Sequence, residues 1–304
     1  MFQLGFVSAI LPNYDFKNVI DFAASHSFKC VEMMCWPTDN TDTRKYAGVS
    51  HIDVDSLDPQ GIYAYAHEKK VAISALGYYP NPLDPDPKKA EYYIEHIKKI
   101  IRSCNSLHVP VMTTFIGRNQ YLQMNENLEL FKKVWKPIIE TAIQEDIKIG
   151  IENCPMFFTN DEWPGGKNLA VSPKVWDYMF ETFSTPLFGL NYDPSHPILQ
   201  HMDEIKPIYD YKERLHHIHL KDVRIDQDAL DKVGIFANPK EWHTPKLPGF
   251  GDVRWNKFFG ALSDIKYHGP CVIEVEDMGY QSSPEDVVSG ILTARNYLNQ
   301  FMGA

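Results

Sequence analysis

The sequence predicts a (β/α)8 barrel, one domain spanning 1–304, on three observations. Short apolar runs alternate with amphipathic, charged stretches from one end to the other. The runs are continuously apolar rather than alternating, as in strands buried on both faces of a parallel sheet. Eight strand–helix units in 304 residues is the length that such a barrel requires. A doubly wound sheet would use fewer strands and a glycine-rich crossover turn, and no G-x-G-x-x-G follows the first run.

In order, the predicted strands are FQLGFVSA (2–9), CVEMMCW (30–36), VAISALG (71–77), PVMTTFIG (110–117), IKIGIEN (147–153), LFGLNYD (187–193), LHHIHLKD (215–222) and GPCVIEVED (269–277). Helices are expected near 16–26, 58–69, 87–107, 124–146, 173–183, 201–211, 254–265 and 283–301. Connections 37–57, 154–172 and above all 222–250 are longer than a barrel needs, and long loops in compact domains are often lids. Gly249-Phe-Gly251 precedes Asp252, which fits a turn and helix start better than a phosphate cradle.

Composition narrows the function. A hydrophobic fraction of 44% supplies a large core, and the net charge of −10 comes without any basic stripe, which argues against nucleic acid as partner. The five cysteines lack CxxC spacing and read as reduced thiols of a cytoplasmic protein. The apolar N-terminus has no basic flank and meets Pro12 and Asp15, so it reads as a first core strand rather than a signal peptide. No apolar run reaches the ~18 residues of a membrane span.

Polar residues at the C-terminal ends of barrel strands face the active-site mouth. Read in order, those ends offer Glu152, Asp193, His219 and Glu274, with Glu276 and Asp277 as competitors on the last strand. Three carboxylates converging in a cleft repel one another unless a cation neutralises them. Three oxygen ligands with one imidazole suit a divalent ion such as Mn²⁺, Mg²⁺ or Co²⁺, and suit Zn²⁺ less. Asp193-Pro194-Ser195-His196 admits a second reading, because Asp is a good N-cap and Pro is favoured at the first helical position. Both hold together if one Asp193 oxygen faces the ion and the other a backbone N–H.

The motifs IGIEN (149–153), NYDPSH (191–196), HIHLKD (217–222), PGFGDVRW (248–255) and GPCVIEVED (269–277) resemble, in order and spacing, those of the xylose-isomerase-like TIM barrels. That sugar phosphate isomerase/epimerase group includes D-tagatose 3-epimerase and inosose dehydratase. The N-terminal half is similar only in its rhythm and in pieces such as VEMMCW and TTFIGR. The resemblance implies one divalent ion on Glu152, Asp193, His219 and Glu274, with His196 contacting a water on the ion or a substrate hydroxyl. It implies Glu152 and Glu274 as the acid/base pair. It also implies a homo-oligomer, or assembly with a small β-sandwich subunit as in C-glycoside deglycosidases. Endonuclease IV resembles this chain at the Glu, Asp-x-x-His and His positions, but it needs further histidines. ISALGYY and TTFIGRN contain no His, and 222–250 contains no Asp-x-His.

The reaction expected is proton abstraction next to the carbonyl of a keto sugar or polyol-derived ketone, giving an epimer or isomer. The same first step with loss of a β-substituent makes a lyase, acting as an inosose-type dehydratase or on 3-keto-glycosides and C-glycosides. A non-catalytic sugar-binding barrel is the third reading. Lys221 and His196 are candidate proton donors, and Trp36, Tyr78-Tyr79 and Arg118 are candidate substrate contacts. The 222–250 segment is where the choice of product is expected to be made.

Overall fold

The computed structural model describes residues 2–39, 47–157 and 164–302. Eight parallel strands close on themselves: β1 (Gln3–Val7), β2 (Cys30–Met34), β3 (Ala72–Gly77), β4 (Val111–Thr114), β5 (Lys148–Glu152), β6 (Phe188–Tyr192), β7 (Leu215–Leu220) and β10 (Pro270–Ile273). Phe6 pairs with Ile273 to close the ring, and Val272 pairs with His219. The predicted eight-stranded order is therefore observed.

Helix starts follow local chemistry. Helices α2 (Pro59–Lys69), α3 (Pro87–Ser106) and α10 (Pro284–Leu298) each begin at a proline behind a capping residue. Asp58, Asp86 and Ser283 accept the exposed amides of Gly61, Lys88 and Asp286. A missing proline N–H costs nothing in the first turn, and the cap satisfies an orphan donor.

Two expectations are corrected. In place of one helix near 201–211 the chain forms two short ones, α6 (Ser195–Leu199) and α7 (Lys206–Asp210). Asp193 is not the N-cap with Pro194 as first helical residue. Pro194 occupies the cap position and Asp193 lies one residue before it. The long 222–250 connection expected after the seventh barrel strand is present and carries its own secondary structure. It is an antiparallel hairpin of β8 (Asp222–Ile225) and β9 (His243–Lys246) around helix α8 (Gln227–Val233).

Asp222 anchors this insertion. Its fully buried carboxylate accepts N–H bonds from Val223, Gly249, Gly251 and Val253 and from Trp255 Nε1, at 2.8–3.2 Å. Gly249 turns the chain at φ +92°, where a side chain would be strained and would meet Tyr297. Asp222→Asn keeps the volume but turns one acceptor into a donor facing donors. Equilibrium unfolding is expected to show a loss of about 1–3 kcal/mol.

No helix among the described residues is long and apolar enough to cross a membrane.

Candidate metal centre

The candidate residues meet at the C-terminal mouth of the barrel. Glu152 ends β5, Asp193 directly follows β6, His219 lies near the end of β7 and Glu274 directly follows β10. One ligand atom from each lies within 4.8 Å of the other three. His219 Nδ1 stands 3.6 Å from Glu152 Oε1 and 3.4 Å from Glu274 Oε2. Asp193 divides its oxygens: Oδ1 accepts the Ser195 N–H at 2.7 Å, while buried Oδ2 makes no hydrogen bond among the described residues. The half-capping geometry thus exists, and Pro194 sets the turn that returns His196 to the cluster. His196 Nε2 is 3.4 Å from both Glu152 Oε1 and Asp193 Oδ2.

Sequence reading missed Glu32. This β2 residue is fully buried at the barrel centre, and its Oε2 accepts His219 Nε2–H at 2.7 Å. Its Oε1 accepts Tyr79 OH at 2.5 Å and Thr113 Oγ1 at 2.6 Å. A carboxylate behind the ring fixes the tautomer and turns the other nitrogen toward the ligand position. The available signal was a lone Glu in the apolar run CVEMMCW, where a charge has no place unless it is paired.

Electrostatics show what the cluster demands. Burial opposes charge on His219, yet Glu32 and Glu152 outweigh it and raise its pKa well above the ordinary 6.5. Burial likewise opposes charge on His196, but Asp193 and Cys154 raise it to about 10. Lys221 Nζ lies 2.9 Å from Glu274 Oε2, 3.2 Å from Asp193 Oδ2 and 3.3 Å from Glu276 Oε2, and these carboxylates keep it charged against burial. Burial would neutralise Glu152 and Glu274, but His219 lowers the first and Lys221 the second. Protons and one ammonium thus do what a divalent ion would do. Asp193 Oδ2 and His219 Nδ1 form no hydrogen bond among the described residues and belong to the same cluster. The donor set and its orphaned atoms fit a divalent cation.

The mouth is divided by chemistry. Val7, Met34, Trp36 and Phe115 form an apolar wall from the ends of β1, β2 and β4, and Glu152, His219, Lys221, Glu274 and Glu276 line the same cavity. Trp36 therefore reaches the cavity, edge-on to buried Tyr78, and Tyr79 lines it with its hydroxyl committed to Glu32. Arg118 is not among the lining residues. Its guanidinium lies where a Gly165 side chain would be, and its backbone is held by Asn81. No hairpin residue lines the cavity either; Trp242 stacks on His201 instead. A larger cavity of about 890 Å³ holds none of the cluster residues; Lys29, Lys148 and His216 line it.

Two further histidines on β7 are held neutral. Burial and the nearby Lys148 push His216 down to about 3, and burial pushes His217 to about 4 despite Glu32. His217 bridges Asn191 Oδ1 and Ser74 Oγ, each at 3.1 Å. Both folded values lie below the ordinary 6.5, so below it the unfolded chain binds protons that the folded chain refuses. Their contribution is complete above 6.5 and is lost as pH falls toward 3. The denaturant midpoint is expected to drop over that window, and less steeply in His216→Asn.

Comparison with known proteins agrees with this fold. YfiH of Bacillus subtilis (strain 168), an uncharacterized protein, is 24% identical over 335 aligned positions, covering 98% of each chain. Inosose dehydratase of Clostridium tetani is 27% identical over 126 residues, 41% of each chain. The crystal structure of a D-tagatose 3-epimerase-like protein superposes with a TM-score of 0.70 at 17% identity, over 99% of this chain and 98% of that one. A family model described as xylose isomerase-like TIM barrel matches residues 20–297, and the chain belongs to that family.

Proposed function

We propose that this chain is a divalent-metal-dependent isomerase or epimerase that moves a proton next to the carbonyl of a keto sugar or polyol-derived ketone. The observation that carries this reading is the pair Glu152 and Glu274 flanking His219 Nδ1 at 3.6 and 3.4 Å, closed by Asp193 Oδ2 within the same cluster. Glu152, Asp193, His219 and Glu274 would hold the ion. Bound there, it would supply Lewis acidity to the substrate carbonyl. Three carboxylates and one imidazole favour Mn²⁺, with Mg²⁺ or Co²⁺ as substitutes.

The chain's own groups then have distinct tasks. One glutamate takes the proton on carbon and the other returns one, each such transfer contributing about 10²–10⁴-fold. His196, buried beside Glu152 and Asp193, receives a substrate hydroxyl. The apolar wall with Trp36 covers the ring face and excludes water. Arg118 has no part in this reading, because its side chain is directed elsewhere.

A second reading is elimination. Lys221 holds a buried ammonium 2.9 Å from Glu274, and such a donor can protonate a departing β-substituent. The likeness to inosose dehydratase points the same way. Incubation of the metal-loaded protein with ketohexoses, inososes and 3-keto-glycosides in D₂O separates the readings. Deuterium on carbon in recovered sugar supports epimerisation, and release of water or aglycone supports elimination. If no keto sugar exchanges or decomposes, the enzyme reading fails.

Metal dependence has its own readout. Mn²⁺ at 100 times its dissociation constant is expected to stabilise the fold by about 2.7 kcal/mol in thermal unfolding, and a chelator should abolish the gain.

A further inference from the structure

Among the described residues, three groups of side chains have metal-ligand chemistry, and one of them is the centre described above. Glu32, His217 and His219 are close together, but they are committed to hydrogen bonds with one another and with Tyr79, Thr113 and Ser74. The third group is Glu152, Cys154 and His196, with one donor atom from each within 4.8 Å of the other two. Of the five cysteines, four are buried, and only Cys154 lines the cavity. The thiol is not isolated. His196 Nε2, in a ring 6% exposed, makes no hydrogen bond among the described residues and stands 3.4 Å from Glu152 Oε1.

We propose that Glu152, Cys154 and His196 form a second cation site, selective for a thiophilic divalent ion such as Zn²⁺ or Co²⁺, with Glu152 shared between it and the first centre. It rests on the metal-centre reading through that shared carboxylate.

The chemistry of the donors supports the selectivity. One sulfur, one imidazole nitrogen and one carboxylate oxygen are the mixed set that Zn²⁺ accepts, with water or substrate in the fourth position. Bond lengths of ~2.0–2.3 Å at tetrahedral angles require donors ~3.3–3.8 Å apart. The His196–Glu152 pair already meets that spacing, and the thiol has to close by about an ångström at most. Hard ions such as Mg²⁺ and Mn²⁺ gain little from sulfur and leave this site free. On binding, Cys154 forms the sulfur–metal bond as a thiolate and His196 binds as neutral imidazole, each releasing its proton to solvent. A bridging carboxylate holds two ions ~3.5–4 Å apart. The second ion would therefore occupy the position from which His196 addresses the substrate, so thiophilic ions in excess block the mouth.

The test is a titration of the chelator-stripped full chain with Co²⁺, followed by near-ultraviolet absorption and metal analysis. The expected result is two ions per chain, with a sulfur-to-cobalt charge-transfer band that grows with the second. Cys154→Ser should bind one ion without the band, and Glu274→Gln should lose the other ion and keep the band. A Cys154→Ser variant that still binds two ions, or a wild-type cobalt protein without the band, overturns the proposal. So does a band that saturates with a single ion in the wild-type chain. If Glu274→Gln alone still binds two ions, the four-residue centre is wrong and the cysteine site stands.

Discussion

Glu274→Gln is expected to lower turnover of the responsive keto sugar by about 10²–10⁴-fold, with circular dichroism and melting behaviour close to wild type. The substitution keeps the size of the side chain and removes its ability to accept or deliver a proton at that face. Glu274 bonds the barrel only through its backbone N–H, to Leu220 O; its carboxylate contacts are Lys221 and His219. Structural damage is therefore small and the loss is chemical. Glu152→Gln should behave alike, and each variant should also bind the ion more weakly, because both glutamates would hold it, so turnover is compared at saturating Mn²⁺. Deuterium wash-in measured apart from net conversion checks the division of labour. If each glutamate serves one face, each variant still exchanges the proton of one substrate epimer. Unchanged turnover in both variants would end the acid/base assignment.

The second large effect belongs to Glu32, which touches no substrate. Glu32→Ala leaves His219 Nε2, Thr113 Oγ1 and Tyr79 OH without their acceptor in the barrel centre. Breaking a buried pair from one side costs about 3–5 kcal/mol, so this variant should unfold at markedly lower denaturant. Glu32→Gln keeps the packing and isolates the functional part. Histidine ligands that lose their carboxylate partner weaken metal binding by about 10–100-fold, and isothermal titration with Mn²⁺ should show that drop. Burial tends to raise the Glu32 pKa, but His219 and the Thr113 hydroxyl hold it below the usual carboxylate range. The negative charge that orients His219 is therefore present throughout the neutral range. A Glu32→Gln protein with wild-type metal affinity would reduce Glu32 to a packing residue.

The ligand candidates were legible before any coordinates because each sits at the end of a recognisable strand. In a parallel barrel every such end faces one mouth, so periodicity alone brought Glu152, Asp193, His219 and Glu274 together. The same logic could not sort Trp36 from Arg118. Both lie near strand ends, but Trp36 turns into the mouth and Arg118 turns toward the 165 loop. A side chain's direction after a strand depends on loop packing, and periodicity carries no information about that. The internal structure of the inserted segment was not legible for a related reason. Its hairpin is held by Asp222, whose partners lie up to 33 residues away in the sequence, and local propensity does not register such bonds.

Acting alone, the sequence determined the barrel and the order of its strands, and it placed four candidate donors at their ends, since these follow from hydrophobic periodicity and strand polarity. Tertiary structure decided what surrounds those donors: Glu32 behind His219, Lys221 between Asp193 and Glu274, and Cys154 beside His196. Those relations join residues on different strands or across a turn, and only the closing of the sheet sets their distances. Charge in a buried cluster is governed by such distances, so the chemistry of the site belongs to the fold more than to any one motif.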